Sequence, residues 1–248
     1  VEVADLPHLI DIVGTGGDMA KTVNISSMAA VTTAGAGVGV IKHGNRAASS
    51  ASGTADVFEK LGVRLDVPAE KVLEVFNDAR MTFCFAPVFH PSMRFAGPAR
   101  RELGIPTFFN FLGPLTNPAR AAASAIGCAD LAMAPLMAQV LADRGADAFV
   151  FRGEDGLDEI TVTGPTRFWI VADGRVSAEL LDPTDLGVSL APAESLRGGA
   201  PAYNADVFGR VLGGELGPIR DAVVLNAGAA IAAHEASAGT LVDRLGAG

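Results

Sequence analysis

Short apolar runs alternate with longer segments of helical periodicity along most of this 248-residue chain, and this alternation constrains its fold more than any other feature. The runs with strand character span residues 9–13, 38–42, 81–86, 123–128 and 148–152. The segments with helical character span residues 26–34, 55–61, 68–79, 93–103 and 132–144. Strands and helices that alternate in this way predict an α/β fold with a mainly parallel central sheet flanked by helices.

The pattern changes in the last third of the chain. Residues 159–181 are rich in strand-forming side chains and contain the turn sequence Ala172-Asp173-Gly174, which predicts an antiparallel addition to the sheet. From Asn204 onward the chain is rich in alanine and is predicted to be helical.

Charge and cysteine content narrow the possible functions. The formal net charge of −9 argues against a nucleic-acid partner, and an anionic substrate must be held by a local site rather than attracted by the overall field. Cys84 and Cys128 lie in apolar surroundings, which indicates buried thiols in the reducing cytoplasm and no disulfide framework. The apolar stretch 28–41 is interrupted by Thr32, Thr33 and several glycines, so no membrane span is predicted.

A glycine-rich loop follows the first predicted strand, with Gly14, Gly16, Gly17 and Asp18 in close succession. Glycine adopts positive φ and lets backbone amides approach an anion without an intervening side chain. The dinucleotide-binding fingerprint fails because Met19 stands in place of its third glycine, and the P-loop spacing is absent too. Because ligands of open α/β sheets bind at the carboxyl ends of strands, the loop predicts a phosphate or diphosphate site. The alternative is a tight strand-to-helix turn without a ligand.

The helix after this loop begins with the polar residues Asn24, Ser26 and Ser27. Their side chains stand close to a helix N-terminus, where free backbone N–H groups attract anions, and this position favours the phosphate site. The alternative is that one of the serine hydroxyls only caps the helix.

A second loop rich in hydrogen-bond donors, Lys42–Ser50 with the sequence KHGNRAASS, follows the second predicted strand. It offers an ammonium, an imidazole, a guanidinium, an amide and two hydroxyl groups. Donors clustered in this way beside a glycine suit a phosphate or carboxylate, although any one of them could belong to a solvated loop, and His43 could be structural.

An acidic loop, GEDGLDE at Gly153–Glu159, follows the fifth predicted strand. Four carboxylates this close repel one another unless they are solvated or share a cation, and hard oxygen ligands without histidine or cysteine favour Mg²⁺. Glu154 and Asp155 are interpreted as a solvated turn. Asp158 and Glu159 open a strand-like run and are the better candidates for metal ligands.

These motifs, with the segment from His90 to Ala119, resemble the anthranilate phosphoribosyltransferase family over nearly the whole chain and in the expected order. The resembling stretches are GTGGD at 14–18, NISS at 24–27, KHGNRAASS at 42–50, HPSMRFAGPARRELGIPTFFNFLGPLTNPA at 90–119 and GLDE at 156–159. The resemblance implies transfer of the phosphoribosyl group of 5-phosphoribosyl 1-diphosphate to the amine of anthranilate, in tryptophan biosynthesis. It implies Mg²⁺ as cofactor and no catalytic nucleophile from the protein, because the anthranilate amine is itself the nucleophile.

The resemblance also implies the residues that bind each partner of this reaction. Phosphoribosyl diphosphate would be bound by Gly14, Gly17, Asp18, Thr22, Asn24, Ile25, Ser26, Ser27, Lys42, His43, Gly44, Asn45, Arg46, Ala47, Ala48, Ser49, Ser50 and Thr54. Anthranilate would be bound by Gly14, Asn45 and Arg100, with His43, His90 and Pro114 lining its entry channel. Mg²⁺ would be bound by Ser26, Asp158 and Glu159.

A division into domains follows from the same resemblance. Residues 1–8 would be the remnant of a linker from a small N-terminal helical domain, and residues 9–248 the α/β phosphoribosyltransferase domain. The segment 88–120 would pack with the helical domain, which would carry the contact of a homodimer in the full-length protein. Met19 stands where the family commonly has glycine, which predicts a stiffer loop.

Two alternatives stay open at this point. One is a pyrimidine nucleoside phosphorylase of the same fold, although the KHGNR loop and the GLDE segment favour the transferase. The other is a non-enzymatic relative that binds nucleic acid, which the net charge of −9 disfavours.

Overall fold

A computed structural model describes residues 8–47, 51–103, 105 and 107–248 of the chain. Within these residues, seven strands form one sheet in the order β3-β2-β1-β4-β5-β6-β7. The strands are β1 (Ile10–Gly14), β2 (Val40–Gly44), β3 (Met81–Phe85), β4 (Ala123–Gly127), β5 (Asp147–Gly153), β6 (Thr166–Ala172) and β7 (Arg175–Leu181). The five strands predicted from apolar runs are confirmed to within two residues at each end, and so is the α/β fold class.

Helices cover both faces of this sheet. They are α1 (Ile25–Gly35), α2 (Thr54–Lys60), α3 (Val72–Ala79), α4 (Ala86–Phe89), α5 (Gly97–Leu103), α6 (Phe108–Leu112), α7 (Met133–Asp143), α8 (Pro201–Leu212), α9 (Pro218–Glu235) and α10 (Leu241–Ala247). Short 3₁₀ turns lie at Ala69–Lys71, Pro91–Phe95, Pro183–Leu186 and Ala193–Leu196.

Two predicted elements were wrong in detail. The helix predicted at 93–103 is divided into a 3₁₀ turn and α5, because Pro98 lacks the N–H that a continuous helix requires there and instead sits in the first turn of a new helix. The strand character predicted from 159 onward begins only at Thr166, since Gly164 and Pro165 interrupt the run.

Strands β1 to β5 are parallel, and β6 and β7 are antiparallel additions at one edge, as predicted. The hairpin between β6 and β7 turns at Asp173 and Gly174, with φ of 51° and 68°. Positive φ at both central residues is the property of a type I′ turn, whose twist matches that of the flanking strands.

Alternate residues of the parallel strands enter different parts of the core. Ile10 and Ile12 pack on the face covered by α1 and α9, whereas Val13 packs on the opposite face with α7. Cys84 and Cys128 are both buried free thiols, as predicted. Among the described residues, no helix combines the length and the apolar character that a membrane span requires.

Candidate functional site

The carboxyl ends of the five parallel strands meet at one edge of the sheet, and the loops predicted to carry chemistry leave from this edge. The chain builds β2 and β3 on one side of β1 and then places β4 and β5 on the other side. The strand order therefore reverses between β1 and β4, which is where ligands of open α/β sheets bind.

The glycine loop after β1 has the conformation that its sequence predicts. Gly16 and Gly17 have φ of 65° and 87°, values that glycine adopts without steric cost. Met19 and Lys21 share this left-handed region with φ of 60° and 55°. A methionine in this conformation carries a strain that a glycine at the same position would avoid.

The acidic segment lies directly on the ends of β1 and β4. Gly14 and Gly127 are register partners on these strands, and a Cβ atom on either glycine would overlap Asp158. At Gly14 the overlap would be with the carboxylate, and at Gly127 with the backbone carbonyl. Gly14 therefore makes room for Asp158, and Gly127 is a structural requirement of the site that the sequence analysis missed. The cue was a glycine at the end of a buried strand, which often marks a close backbone approach.

Asp158 is buried and held by the glycine loop, because the Gly16 N–H donates to its Oδ2 at 2.7 Å. Burial raises the pKa of Asp158 to about 7, and the negative charge of Asp18 adds to the rise. Asp18 belongs to the same glycine loop and is half-buried. The carboxylates of Asp18, from the glycine loop, and Asp158, from the acidic loop, therefore lie close together.

Glu159 reaches the N-terminus of α1, where the Ser26 N–H donates to its Oε1 at 3.2 Å. A carboxylate is favoured at this end of a helix. Burial raises the pKa of Glu159 well above its usual value, and the charge of Asp158 raises it further, whereas Lys42 lowers it. The predicted metal residues Ser26, Asp158 and Glu159 are thus brought together from positions more than 130 residues apart.

This arrangement fits a hard divalent cation. The carboxylates of Asp158 and Glu159 and the serine residue Ser26 could supply oxygen ligands. The repulsion among the Asp158, Glu159 and Asp18 carboxylates is of the kind that a cation relieves. Within the described residues, no group of three or more His, Cys, Asp or Glu side chains forms a metal cage of its own. The donor set therefore suits Mg²⁺, which commonly takes one or two carboxylates and completes its shell with water and substrate phosphates.

The other two acidic residues of this loop brace it. Glu154 is exposed and pairs with Arg167 at 2.9 Å. Asp155 accepts hydrogen bonds from the Thr161 and Thr163 hydroxyls at 2.7 and 2.5 Å and from the Leu157 N–H at 3.1 Å. Both carboxylates are exposed, as a solvated turn requires, but Asp155 also closes the turn that presents Asp158.

Lys42 was predicted to open the second donor loop, but it lies in the middle of β2, with only 1% of its surface exposed. Its ammonium donates to the Ile12 carbonyl, and burial lowers its pKa while the charges of Asp11, Glu159 and Asp158 oppose that change. The structure therefore places this predicted phosphate ligand beneath the acidic pair, where its charge acts on the carboxylates.

His43 and His90 lie in edge contact, with ring centroids 5.0 Å apart. The His43 N–H donates to the buried carboxylate of Asp11 at 3.0 Å, and its ring interacts with the backbone of Gly113, next to the buried Pro114. Burial lowers the pKa of His43 to about 4, and the proximity of His90 contributes. The three residues predicted to line the anthranilate channel therefore belong to one neighbourhood, with a neutral imidazole at its centre.

Arg100 lies on α5 and is half-buried. Its guanidinium contacts the Asn110 Oδ1 at 3.3 Å and lies over the Phe109 ring at 5.4 Å from the centroid. An arginine stacked on an aromatic ring keeps N–H groups directed outward in its plane, which suits it to a carboxylate ligand.

The second donor loop is described as far as Ala47, so the predicted ligands Ala48, Ser49 and Ser50 lie outside the described residues. Arg46 forms ion pairs with Asp56 at 2.9 Å and Glu59 at 3.0 Å. Gly44 ends β2, and Asn45 after it is exposed.

Helix α1 and the loop before α2 contact each other through polar groups. The Ser27 hydroxyl donates to the Thr54 hydroxyl at 3.1 Å, and the Asn24 amide donates to the Ser52 carbonyl at 3.0 Å. Ile25 is a core residue with 1% exposure, so only its backbone could meet a ligand. Thr22 is half-buried and forms an isolated antiparallel bridge with Arg197.

The chain matches the family model described as "Glycosyl transferase family, a/b domain" over residues 6–243. An anthranilate phosphoribosyltransferase from a Nocardioides species is 60% identical over 228 residues, which cover 92% of this chain and 67% of the relative. The Streptomyces griseus relative of the same name is 57% identical over 238 residues, covering 96% of this chain and 67% of that relative.

Solved structures agree with these sequence matches. Anthranilate phosphoribosyltransferase from Thermus thermophilus superposes with a TM-score of 0.91 at 44% identity, covering 99% of this chain and 73% of that one. The Saccharomyces cerevisiae enzyme in complex with PRPP and Mg superposes with a TM-score of 0.87 at 30% identity, covering 97% and 68%. From this agreement of sequence, fold and length of match, the chain belongs to the anthranilate phosphoribosyltransferase family.

Proposed function

We propose that this chain transfers the phosphoribosyl group of phosphoribosyl diphosphate to the amine of anthranilate, giving N-(5-phosphoribosyl)anthranilate and diphosphate. The observation that carries the proposal is the seating of Asp158 and Glu159 across the glycine loop and the N-terminus of α1, at the reversal of strand order. Relatives at 60% and 57% identity bear the name of this activity and support it.

In this reaction the protein must position two substrates and stabilise the opposite charges that develop on the sugar and on the leaving group. Displacement at the anomeric carbon develops positive charge on the sugar and negative charge on the departing diphosphate. The Gly16 and Ser26 N–H groups hold the carboxylates of Asp158 and Glu159. Other backbone N–H groups of the glycine loop and of the first turn of α1 would donate to the phosphate oxygens, as preorganised dipoles that need no reorganisation during the reaction. When bound, Mg²⁺ would be held by Ser26, Asp158 and Glu159 and would supply charge neutralisation to the diphosphate.

Anthranilate requires a site for its carboxylate and an apolar wall for its ring. Arg100 would bind the carboxylate through its planar guanidinium, and His43, His90 and Pro114 would line the approach. With its pKa at about 4, His43 is neutral at physiological pH and does not compete with Arg100 for the carboxylate. The amine attacks directly, and holding it near the anomeric carbon supplies much of the rate acceleration.

The test is the loss of anthranilate fluorescence on mixing the complete protein with phosphoribosyl diphosphate and Mg²⁺. We expect loss that requires all three components and that disappears in an Asp158→Asn/Glu159→Gln variant. Arg46→Gln, which removes the partner of Asp56 and Glu59, separates a loop defect from a metal defect, because its activity should still respond to Mg²⁺. Absence of fluorescence loss, with phosphorolysis of a pyrimidine nucleoside instead, would overturn the proposal.

The division into domains, the homodimer and the cytoplasmic location belong to the same proposal. The chain spans about two thirds of the length of the Nocardioides and Streptomyces griseus relatives, 67% in each case. We expect the complete protein to sediment as a dimer whose contacts lie outside the α/β unit. Sedimentation of the complete protein as a monomer at micromolar concentration would contradict this expectation.

A further inference from the structure

Two side-chain amides and two backbone groups form a linear series of three hydrogen bonds behind the glycine loop and the loop before α2. The Gly199 N–H donates to the Asn204 Oδ1 at 2.8 Å, and the Asn204 Nδ2 donates to the Asn24 Oδ1 at 2.8 Å. The Asn24 Nδ2 then donates to the Ser52 carbonyl at 3.0 Å. Both amides have a donor on one side and an acceptor on the other, so the polarity of the series is fixed.

Asn204 is the buried member at the centre of this series. It lies on α8 with 2% of its surface exposed. A hydrogen bond made by a buried amide is costly to break, because a buried group left unpaired has lost its water without gaining a partner. The series therefore connects α8 firmly to the start of α1 and to the loop before α2.

Asn24 is free to make this connection because another group holds the start of its helix. Asn24 is the N-cap residue of α1, yet its side chain makes no capping hydrogen bond. An N-cap asparagine ordinarily accepts from a backbone N–H in the first turn of its own helix. Here the Ser26 N–H donates instead to Glu159, and the Asn24 amide spans from Asn204 to Ser52.

The chain segment before α8 is hydrogen-bonded to the end of the glycine loop, just before α1. The Val23 N–H donates to the Leu196 carbonyl at 2.9 Å, and the Gly198 N–H donates to the Lys21 carbonyl at 2.8 Å. A Cβ atom on Gly198 would overlap the backbone of Thr22, so only glycine allows this approach. The end of the glycine loop is therefore fixed to the segment 196–198, which leads into α8 and Asn204.

We propose that Asn204 is a positioning residue that sets the distance between the two loops that hold phosphoribosyl diphosphate. This inference rests on the proposed function. Through Asn24, Asn204 fixes the Ser52 carbonyl, two residues before Thr54, relative to the start of α1 with Ser26 and Ser27. A displacement of about 1 Å at such a site can cost on the order of 100-fold in rate, so loss of the connection acts on substrate binding without any direct contact.

The experiment uses Asn204→Asp in the complete protein. This substitution keeps the side-chain volume and the acceptor for the Gly199 N–H. It removes the donor to Asn24 and places a carboxylate oxygen against the Asn24 Oδ1. We expect the KM for phosphoribosyl diphosphate to rise by about 10-fold, since one of the site's two loops is displaced. The KM for anthranilate should stay within twofold, and hydrogen exchange of the amides at 51–55 should become faster.

The matched control is Asp206→Asn, which makes the reverse exchange on the exposed side of the same helix, where the side chain is 67% exposed. It should leave both KM values and the exchange at 51–55 unchanged. If Asn204→Asp does not fold, Asn204→Ser provides the same test, because its hydroxyl is too short to reach Asn24 and carries no charge.

The outcomes separate this inference from the proposed function. A folded variant whose KM for phosphoribosyl diphosphate stays within twofold overturns the inference, and so does an equal rise of both KM values with unchanged exchange at 51–55. Should the wild-type protein show no transferase activity, the proposed function fails. Hydrogen exchange then still decides the structural claim: faster exchange at 51–55 in the variant supports it, and unchanged exchange overturns it.

Discussion

Single residues of this protein have roles that only their neighbours explain. Gly14 was interpreted as a residue that lets amides reach a phosphate, and in the structure it also makes room for Asp158, more than 140 residues away. Lys42 was interpreted as a phosphate ligand in an open loop, and it is buried against the Ile12 carbonyl. In both cases the residue type was informative about the site, while its contact partner came from another strand or loop.

Gly127 supports a sharp test at this scale. Gly127→Ala should destabilise the fold by about 1–3 kcal/mol, because its Cβ would overlap the Asp158 carbonyl and force the backbone apart. Urea denaturation of the variant measures this change in stability. The Mg²⁺-dependent activity should also fall, because the added Cβ would displace Asp158 and Glu159.

The control for Gly127 makes the same substitution where there is room. Gly209→Ala lies within α8 with nothing near its Cβ, and it should stabilise the protein by about 0.5–1 kcal/mol. Equal effects of the two substitutions would show that the close approach of Asp158 to Gly127 carries no energetic weight.

Helices and strands of this protein begin and end largely where local chemistry indicates. Asp173 and Gly174 form the predicted turn between β6 and β7, and Pro98 starts a new helix instead of continuing the predicted one. Helix α3 ends at Ala79, and the next residue, Arg80, has a left-handed φ of 57°, a conformation that glycine ordinarily adopts after a helix. The end of α3 is therefore an element boundary that carries avoidable strain.

Arg80→Gly should relieve that strain. We expect a gain of about 0.5–1 kcal/mol in the free energy of unfolding. The left-handed conformation costs roughly 1–2 kcal/mol for a residue with a Cβ, and part of this gain is offset because glycine loses more conformational entropy on folding. Thermal unfolding measures the gain. Ala79→Gly, one residue earlier and helical, should instead destabilise; a loss in both variants would contradict this account.

Helix α9 supports the acidic segment through one buried side chain. The Ile160 N–H donates to the Asn226 Oδ1 at 3.0 Å, and the Asn226 Nδ2 donates back to the Ile160 carbonyl at 2.9 Å. Ile160 directly follows Glu159, so this pair of bonds anchors the predicted metal ligands on the longest helix of the described residues.

Asn226→Ala should therefore destabilise the protein, at roughly 1–3 kcal/mol for each buried group of Ile160 left unpaired. Val224→Ala, on the exposed side of the same helix, should change the free energy of unfolding by less than about 0.5 kcal/mol. Chemical denaturation compares the two, and an equally small effect at both positions would show that the pair of bonds to Ile160 is dispensable.

At the scale of the whole molecule, the parallel sheet gathers carboxylates that are far apart in the sequence. Asp158 has a pKa raised to about 7, and Asp11 has a pKa raised to about 6, both chiefly by burial. Between about pH 4 and pH 7 the folded state therefore holds protons that the unfolded state has released. The contribution of these groups to stability is present at low pH and is lost as pH rises through this window.

The expected result is a decrease in stability from pH 5 to pH 8 that is smaller in Asp158→Asn than in the wild type. Thermal unfolding in the presence of EDTA at both pH values measures the two decreases. Mg²⁺ should restore stability to the wild type at pH 8 by binding the ionised carboxylates, and should do so less in the variant. Equal decreases in wild type and variant would show that Asp158 does not titrate in this window.

The sequence alone determined the order and type of the elements, the glycine loop and the candidate ligands. These features depend on short-range chemistry: apolar periodicity, glycine conformational freedom, and the donor and acceptor types in each loop. The hairpin at Asp173 and Gly174 and the positive φ of Gly16 and Gly17 are of this kind.

Only the tertiary structure decided which loops meet and which partners they have. The overlap of Gly127 with Asp158, the burial of Lys42 and the series from Gly199 through Asn204 to Asn24 all join residues that are distant in the chain. Such contacts depend on strand order, register and close packing of the whole sheet with its helices. No local pattern encodes these distances, because each is the sum of many packing interactions that exist only once the chain has folded.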